Sequence, residues 1–173
     1  MADIKVIIPA IDEGDSIAQV IAEIPNSASE VIVVDNGSKD DTAKKAKRSG
    51  ATVLAEGRKG YGFACLKGME YVGQQSKKPD IIVFMDGDYS DYPEELDKIV
   101  APILEKNIDF VVGARKKALR EPGSMTPQQV FGNQLATFLM RLFCRAIFSD
   151  LGPFRAIKYE KLNALDMQDK TYG

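Results

Sequence analysis

The sequence predicts an α/β fold: a mostly parallel sheet with helices on both faces. Two observations carry that prediction. Short apolar, largely β-branched runs alternate with segments of helical spacing along the first 112 residues. Those runs are apolar throughout, as expected of strands covered on both faces, and lack the every-second-residue polarity of a half-exposed sheet.

The elements follow in order. Ile4 to Ile8 is a first strand that runs into Pro9, and Ser16 to Ile24 has the spacing of a helix. Val31-Ile32-Val33-Val34 is a second strand, closed by the turn residues Asp35-Asn36-Gly37-Ser38. Ser38 with Asp41 three residues on resembles a capping box for a helix reaching Ser49. Ala51 to Ala55 is a third strand, Tyr61 to Val72 a helix and Ile81 to Met85 a fourth strand. Pro93 suits a first helical position, and Glu94 and Glu95 favour the positive end of the helix dipole. Phe110-Val111-Val112 is a fifth strand. Arg115 to Gln128, broken by Pro122-Gly123-Ser124, reads as a loop long enough to form a lid.

Composition removes whole classes of chemistry. The chain of 173 residues contains no histidine, which excludes Ser-His-Asp and Cys-His machinery and any histidine-ligated metal. A metal must then be held by oxygen ligands, which favours Mg²⁺ or Mn²⁺, and a general base would be a carboxylate. The two cysteines, Cys65 and Cys144, both fall in helix-like segments and read as reduced thiols of a cytoplasmic protein. No apolar run reaches the ~18 residues of a membrane-spanning helix, and the N-terminus has no signal-peptide pattern. Charge is uneven. Residues 1–109 carry 13 Lys and Arg against 20 Asp and Glu, whereas residues 110–161 carry 9 against 3. That split suits an acidic metal site facing phosphates, or a surface near anionic lipid; scattered solvated charge is the alternative. Nothing in it suggests nucleic-acid binding.

Open parallel sheets bind ligands at the carboxyl ends of their strands. Here three such ends are acidic or polar: Pro9-Ala10-Ile11-Asp12-Glu13, Asp35-Asn36-Gly37-Ser38 and Asp86-Gly87-Asp88. Two carboxylates one residue apart after a buried strand can converge on one cation, although the same triplet is common in surface turns. Asp35 could accept a hydrogen bond from a nucleobase or ribose, or could simply close an Asx turn. Arg58-Lys59-Gly60-Tyr61-Gly62 offers close backbone approach, a helix N-terminus and a cation to an anion. It has neither the Walker A spacing nor a dinucleotide-binding fingerprint.

Together these segments resemble the family 2 glycosyltransferases, in particular the dolichyl- and polyprenyl-phosphate mannose and glucose synthases. The resemblance rests on Val6 to Glu13, Val33 to Thr42, Lys59 to Ala64, Phe84 to Asp88, Gly113-Ala114-Arg115 and Phe154-Arg155-Ala156, in the family's order. It implies the GT-A fold of nucleotide-diphospho-sugar transferases, with a Rossmann-like, mixed and mostly parallel sheet, as a single domain over residues 1–173. In it, 1–113 bind the nucleotide sugar, 114–173 form the acceptor side, and the chain stops short of where relatives continue. It implies that Pro9, Ala10, Glu13 and Asp35 line the nucleoside pocket, with Lys59 and Gly60 near the nucleotide. Asp86 would hold the sugar or ribose, and Asp88 would ligate Mg²⁺ or Mn²⁺ with Asp86 beside it. Arg115 and Arg155 would meet phosphates, a role suited to the planar guanidinium. The sequence departs from the family's usual residues at Asp12, Ser90, Val130 and Gly152-Pro153.

The implied reaction is inverting transfer from a UDP- or GDP-sugar, with a polyprenyl phosphate as a suitable acceptor. A lipid phosphate is already ionised and needs no base. A hydroxyl acceptor would need one, for which Asp150 is the candidate; a structural role at a strand end is its alternative. Between Val130 and Phe148, the apolar residues Phe131, Leu135, Phe138, Leu139, Leu142, Phe143 and Ile147 cover more than one helical face, with Arg141 and Arg145 four apart. That pattern suits a helix lying on the cytoplasmic face of a membrane, or one shared between core and a homodimer contact. Two other functions compete: a nucleotide-sugar-binding domain without turnover, and a sugar nucleotidyltransferase. The latter usually carries a basic Gly-rich loop where this chain has Asp12 and Glu13.

Overall fold

The structure, a computed structural model, describes residues 2–114 and 152–170. Arg115, Asp150, Cys144 and the amphipathic stretch 130–148 lie outside the described residues. Two compact units divide the chain: residues 2–111 with 154–170 make one, and 112–153 the other, of which only the ends are described.

The first unit is built on a six-stranded sheet. In chain order its elements are β1 (Ile4–Ala10), α1 (Ile17–Glu23), β2 (Ala28–Asp35), α2 (Thr42–Arg48), β3 (Thr52–Ala55) and α3 (Tyr61–Gln74). β4 (Ile81–Phe84) follows, then a 3₁₀ turn (Pro93–Glu95), α4 (Leu96–Lys106), β5 (Phe110–Val112), β6 (Arg155–Lys158) and α5 (Tyr159–Ala164). The strand order is β3-β2-β1-β4-β6-β5. β1 pairs parallel with β2 and β4, and β2 parallel with β3, while β6 runs antiparallel to β4. The sheet is therefore mixed and mostly parallel, as predicted, and its central strands are the apolar runs.

Side-chain alternation divides the core into two layers. Ile4, Val6, Ile8 and Ala10 of β1 join Val33, Ile81 and Val83 on one face, under Ile17, Val20 and Ile21 of α1, Ala46 of α2 and Leu96, Val100 and Ile103 of α4. Ile7, Ile32, Val34 and Ile82 point to the other face, against Ala64 and Val72 of α3 and Leu162 of α5. Helices thus cover both faces, which explains why the strands read as continuously apolar.

Three differences from the sequence reading have local causes. The capping box does not form: the Ser38 hydroxyl instead accepts the backbone N–H of Asp12 (3.0 Å), and α2 starts at Thr42, whose N–H bonds to Asp40 (2.9 Å). Pro93 opens a 3₁₀ turn, and the α-helix proper begins at Leu96. β6 was not anticipated as a strand. It is four residues long, and it exists because its Ile81–Lys158 to Phe84–Arg155 ladder closes the open edge of β4.

Candidate active site

The carboxyl ends of β1, β2 and β4 come together at one edge of the sheet, fastened by hydrogen bonds from the chain immediately beyond each strand. Ala10 lies opposite Asp35 in the β1–β2 register, and the Asn36 N–H extends the ladder to the Ala10 carbonyl (2.9 Å). Asp12 takes a left-handed backbone (φ 55°), which turns the β1 end toward β2. Its carboxylate accepts from the Lys39 N–H (2.7 Å). The Glu13 N–H donates to the Thr42 hydroxyl (2.8 Å) and the Gly14 N–H to Asp40 (2.8 Å). These bonds fix the loop that carries Glu13.

The β4 end is tied to the same loop. The Ser16 hydroxyl donates to the Gly87 carbonyl (2.6 Å). Gly87 is buried, and a Cβ there would stand 3.5 Å from the Glu13 side chain and 3.3 Å from Ile17, so the Glu13 loop packs against the backbone between the two aspartates. Asp86 is half-buried and Asp88 exposed. Burial raises the Glu13 pKa above the ordinary glutamate value, and the charges of Asp88 and Asp86 push it further the same way. Asp88 also accepts the Ser90 N–H (2.9 Å), in a turn where Tyr89 has φ 63°.

Asp86 has a second neighbour that sequence reading passed over. The Tyr61 hydroxyl, at the start of α3, donates to Asp86 Oδ1 (3.1 Å). Burial and the Asp86 charge hold the Tyr61 hydroxyl protonated well above the usual tyrosine range, and Arg155 pulls weakly the other way. Arg155 reaches this group because β6 places it opposite Phe84, two residues before Asp86. Beneath lies Cys65, a free, buried thiol pushed up to about 12 by burial and by Asp86. A thiol so protonated is no nucleophile at neutral pH.

Lys59 and Gly60 are brought to the same edge by the β2 end. The Glu56 N–H bonds to the Asp35 carbonyl (2.9 Å), extending the β2–β3 ladder. Asp35 itself closes a turn by accepting the Ser38 N–H (3.1 Å), so the Asx-turn reading is realised here. At the start of α3 the Phe63 N–H is taken by the Lys170 carbonyl (3.1 Å), so this helix end is not wholly open to an anion.

Asp86 and Asp88, one residue apart at the β4 end, are oxygen donors of the kind a divalent cation takes. Glu13 feels the charge of Asp88 and of Asp86, and a cation beside them would relieve it. Among the described residues no group of three or more Asp, Glu or Cys forms a metal cage. An ion here would therefore keep water or phosphate oxygens in its shell, the habit of Mg²⁺ on nucleotides. Pro9, Ala10, Glu13, Asp35, Asp86, Asp88 and Arg155 thus gather at one edge with Lys59 and Gly60, while Arg115 and Asp150 fall outside the described residues. Sequence reasoning missed Ser16, Tyr61 and Asn36. The signal was available only in that all three adjoin acidic strand ends or the Lys59 loop.

Residues 5–166, nearly the whole chain, match the family described as Glycosyl transferase family 2. The chain belongs to that family. This family 2 glycosyltransferase is 33% identical over 171 residues to a Mycobacterium tuberculosis protein named an uncharacterised glycosyltransferase, covering 98% of this chain and 74% of that one. It is 31% identical over 160 residues to the UDP-N-acetylglucosamine–dolichyl-phosphate N-acetylglucosaminyltransferase of Methanococcus voltae, covering 80% of this chain and 63% of that one. Among solved structures it resembles glucosyl-3-phosphoglycerate synthase from Mycobacterium tuberculosis, crystallised with Mn²⁺, UDP-glucose and phosphoglyceric acid (TM-score 0.72, 25% identity). That likeness covers 92% of this glycosyltransferase and 57% of the synthase chain, and its fold is GT-A.

Proposed function

We propose that this glycosyltransferase moves a sugar from a UDP- or GDP-sugar to a phosphate-bearing acceptor, with inversion at the anomeric carbon. The observation that carries the reading is the convergence of the strand ends: the Glu13 loop is fastened to Gly87, between Asp86 and Asp88, at the carboxyl edge that also holds Asp35 and the Lys59 loop.

Pro9, Ala10 and Asp35 line the nucleoside, with Asp35 Oδ2 the acceptor for a base or ribose donor. Asp86, oriented by Tyr61, holds the ribose or sugar hydroxyls. Asp88, with Asp86 beside it, would hold Mg²⁺ or Mn²⁺, which when bound offsets the charge that develops on the departing diphosphate. Lys59 adds a cation on the same side. An acceptor oxygen attacks C1 from the face opposite the diphosphate; the new C1–O bond forms as the old one breaks, and its electron pair leaves with the nucleoside diphosphate. A phosphate acceptor brings its nucleophile ready ionised, so Arg155 and Arg115 need only hold and orient it. Asp150 is the base reserved for a hydroxyl acceptor.

A phosphate-bearing acceptor is supported by the excess of nine Lys and Arg over three Asp and Glu in residues 110–161. It is also supported by two similar proteins: one is named for dolichyl phosphate and the other is crystallised with phosphoglyceric acid. Of these the lipid acceptor is the reading we favour, and it would bring the protein to the cytoplasmic face of a membrane. Among the described residues no helix is long and apolar enough to cross one.

The test is ligand-dependent thermal stabilisation, followed by turnover. UDP or GDP at ~100 times its dissociation constant adds about 2.7 kcal/mol, and only in the presence of Mn²⁺ or Mg²⁺. Failure of every nucleoside diphosphate to stabilise the protein rejects the donor site. With the donor known, proton NMR of the product from an α-linked donor should show a β linkage, and an α product rejects inversion.

A further inference from the structure

The loop from Glu56 to Gly60 is held by one buried side chain. The Asn36 amide donates from Nδ2 to the carbonyls of Glu56 (3.2 Å) and Arg58 (2.7 Å), and its Oδ1 accepts the Gly60 N–H (2.9 Å). Asn36 is 7% exposed; its bond to Glu56 is buried and those to Arg58 and Gly60 are partly so, which shields the clamp from much of the solvent. The residues on either side of Lys59 are thus clamped to the same amide, leaving Lys59 at the apex.

The other cation of the loop is committed elsewhere. Arg58 donates from Nε and Nη2 to the buried Glu56 carboxylate (2.8 and 2.7 Å), and its guanidinium lies 4.5 Å above the Phe63 ring. This pairing takes the Glu56 pKa down to about 2, so the pair persists at neutral pH. Lys59 is exposed and makes no ion pair among the described residues. Asn36 also follows Asp35 directly, so the β2 end and the loop apex share one anchor.

We infer that Asn36 is a positioning residue which presents Lys59, already ordered, to the diphosphate of the donor. The inference rests on the donor-site reading above and adds a residue that acts through Lys59. A lysine on a free loop would lose rotamer and backbone freedom on meeting a phosphate, whereas one whose neighbours are fixed beforehand loses less. The amide does this better than a carboxylate could, because two of its three partners are carbonyl oxygens, which need a donor.

The experiment is a double-mutant cycle read by calorimetric binding of UDP and of uridine, with Mn²⁺ present. Lys59→Ala should weaken UDP by about fivefold or more and leave uridine within about twofold. Asn36→Ala, and Asn36→Asp as a variant that keeps the acceptor for Gly60, should weaken UDP similarly and spare uridine. Combined with Lys59→Ala, neither should weaken UDP further, because the effect runs through Lys59. Additive losses, or equal losses for uridine and UDP, overturn the inference alone. An unchanged UDP affinity in Lys59→Ala overturns the placement of Lys59 at the diphosphate, and the inference with it. In the parent chain, hydrogen exchange gives an independent readout: the Gly60 amide should be protected without nucleotide. Protection that appears only with UDP bound is evidence against a preformed loop and overturns the inference.

Discussion

Each residue at the site edge is held by its immediate partners. Asp88 is exposed, with its Oδ1 on the Ser90 N–H, and its carboxylate charge is felt at Glu13. Replacing it tests the metal assignment without disturbing the core: Asp88→Ala should lose the Mn²⁺-dependent part of UDP stabilisation while the unliganded melting temperature stays within a degree or two. Undiminished Mn²⁺ dependence in that variant moves the ion elsewhere. Tyr61 acts one step further out. Its hydroxyl bonds to a carboxylate, and such bonds contribute about 1.5–3 kcal/mol when shielded. Tyr61 is 37% exposed, so the lower end applies and Tyr61→Phe should cut kcat/KM for the donor about tenfold or less. An unaffected kcat/KM means that Asp86 needs no help from Tyr61.

At the scale of elements, the position of α3 decides whether the Lys59 loop meets the β4 end at all. Gly68 is the contact that lets the helix lie close to the sheet: a Cβ there would stand 2.6 Å from Cγ2 of Ile7, a fully buried residue of β1. Gly73, a turn and a half further along, has room, since its added Cβ would meet only the Tyr159 hydroxyl at 3.7 Å. The two glycines therefore respond oppositely to the same change. Gly68→Ala should destabilise by about 1–3 kcal/mol through overpacking, outweighing the helix propensity it gains. Gly73→Ala should stabilise by up to about 1 kcal/mol. Urea denaturation of both variants checks this, and a stabilised Gly68→Ala contradicts the close packing of α3 on β1.

For the whole molecule, a polar network at the opposite end of the sheet from the site joins β1, β2, β3 and α3. Glu30 accepts from Lys5 (2.7 Å), Thr52 (2.8 Å), Tyr71 (2.9 Å) and Gln75 (3.0 Å). Burial by itself would raise the Glu30 pKa, but these four donors prevail and bring it down to about 2. A folded-state pKa below the unfolded one adds stability at neutral pH that is lost as the pH falls from about 4.5 through 2. The contribution is about 2–3 kcal/mol. Glu30→Gln should therefore be less stable at pH 7, and its stability should fall less steeply across that acid window. Parallel pH profiles for the two proteins, in urea, would falsify the assignment of the acid sensitivity to Glu30.

How much of this was legible in the sequence follows from the range of the interactions involved. The apolar strands, the helices between them and the acidic residues at three strand ends are properties of consecutive residues. The sequence alone was therefore enough for the α/β class, the family and the edge at which Asp35, Asp86 and Asp88 stand. Reading Ser38 as a cap failed because a hydroxyl chooses among all donors in reach, and the Asp12 N–H, 26 residues away, was one of them. β6 was hidden for a related reason: four residues carry little pattern, and their strand is made by the open edge of β4. Tyr61 on Asp86, Asn36 across the loop and Ser16 on Gly87 are likewise bonds between segments distant in the chain. Local periodicity and strand-end chemistry determined which residues could do the work. Only the tertiary structure, by burying polar groups that must then find partners, decided which of them are held together.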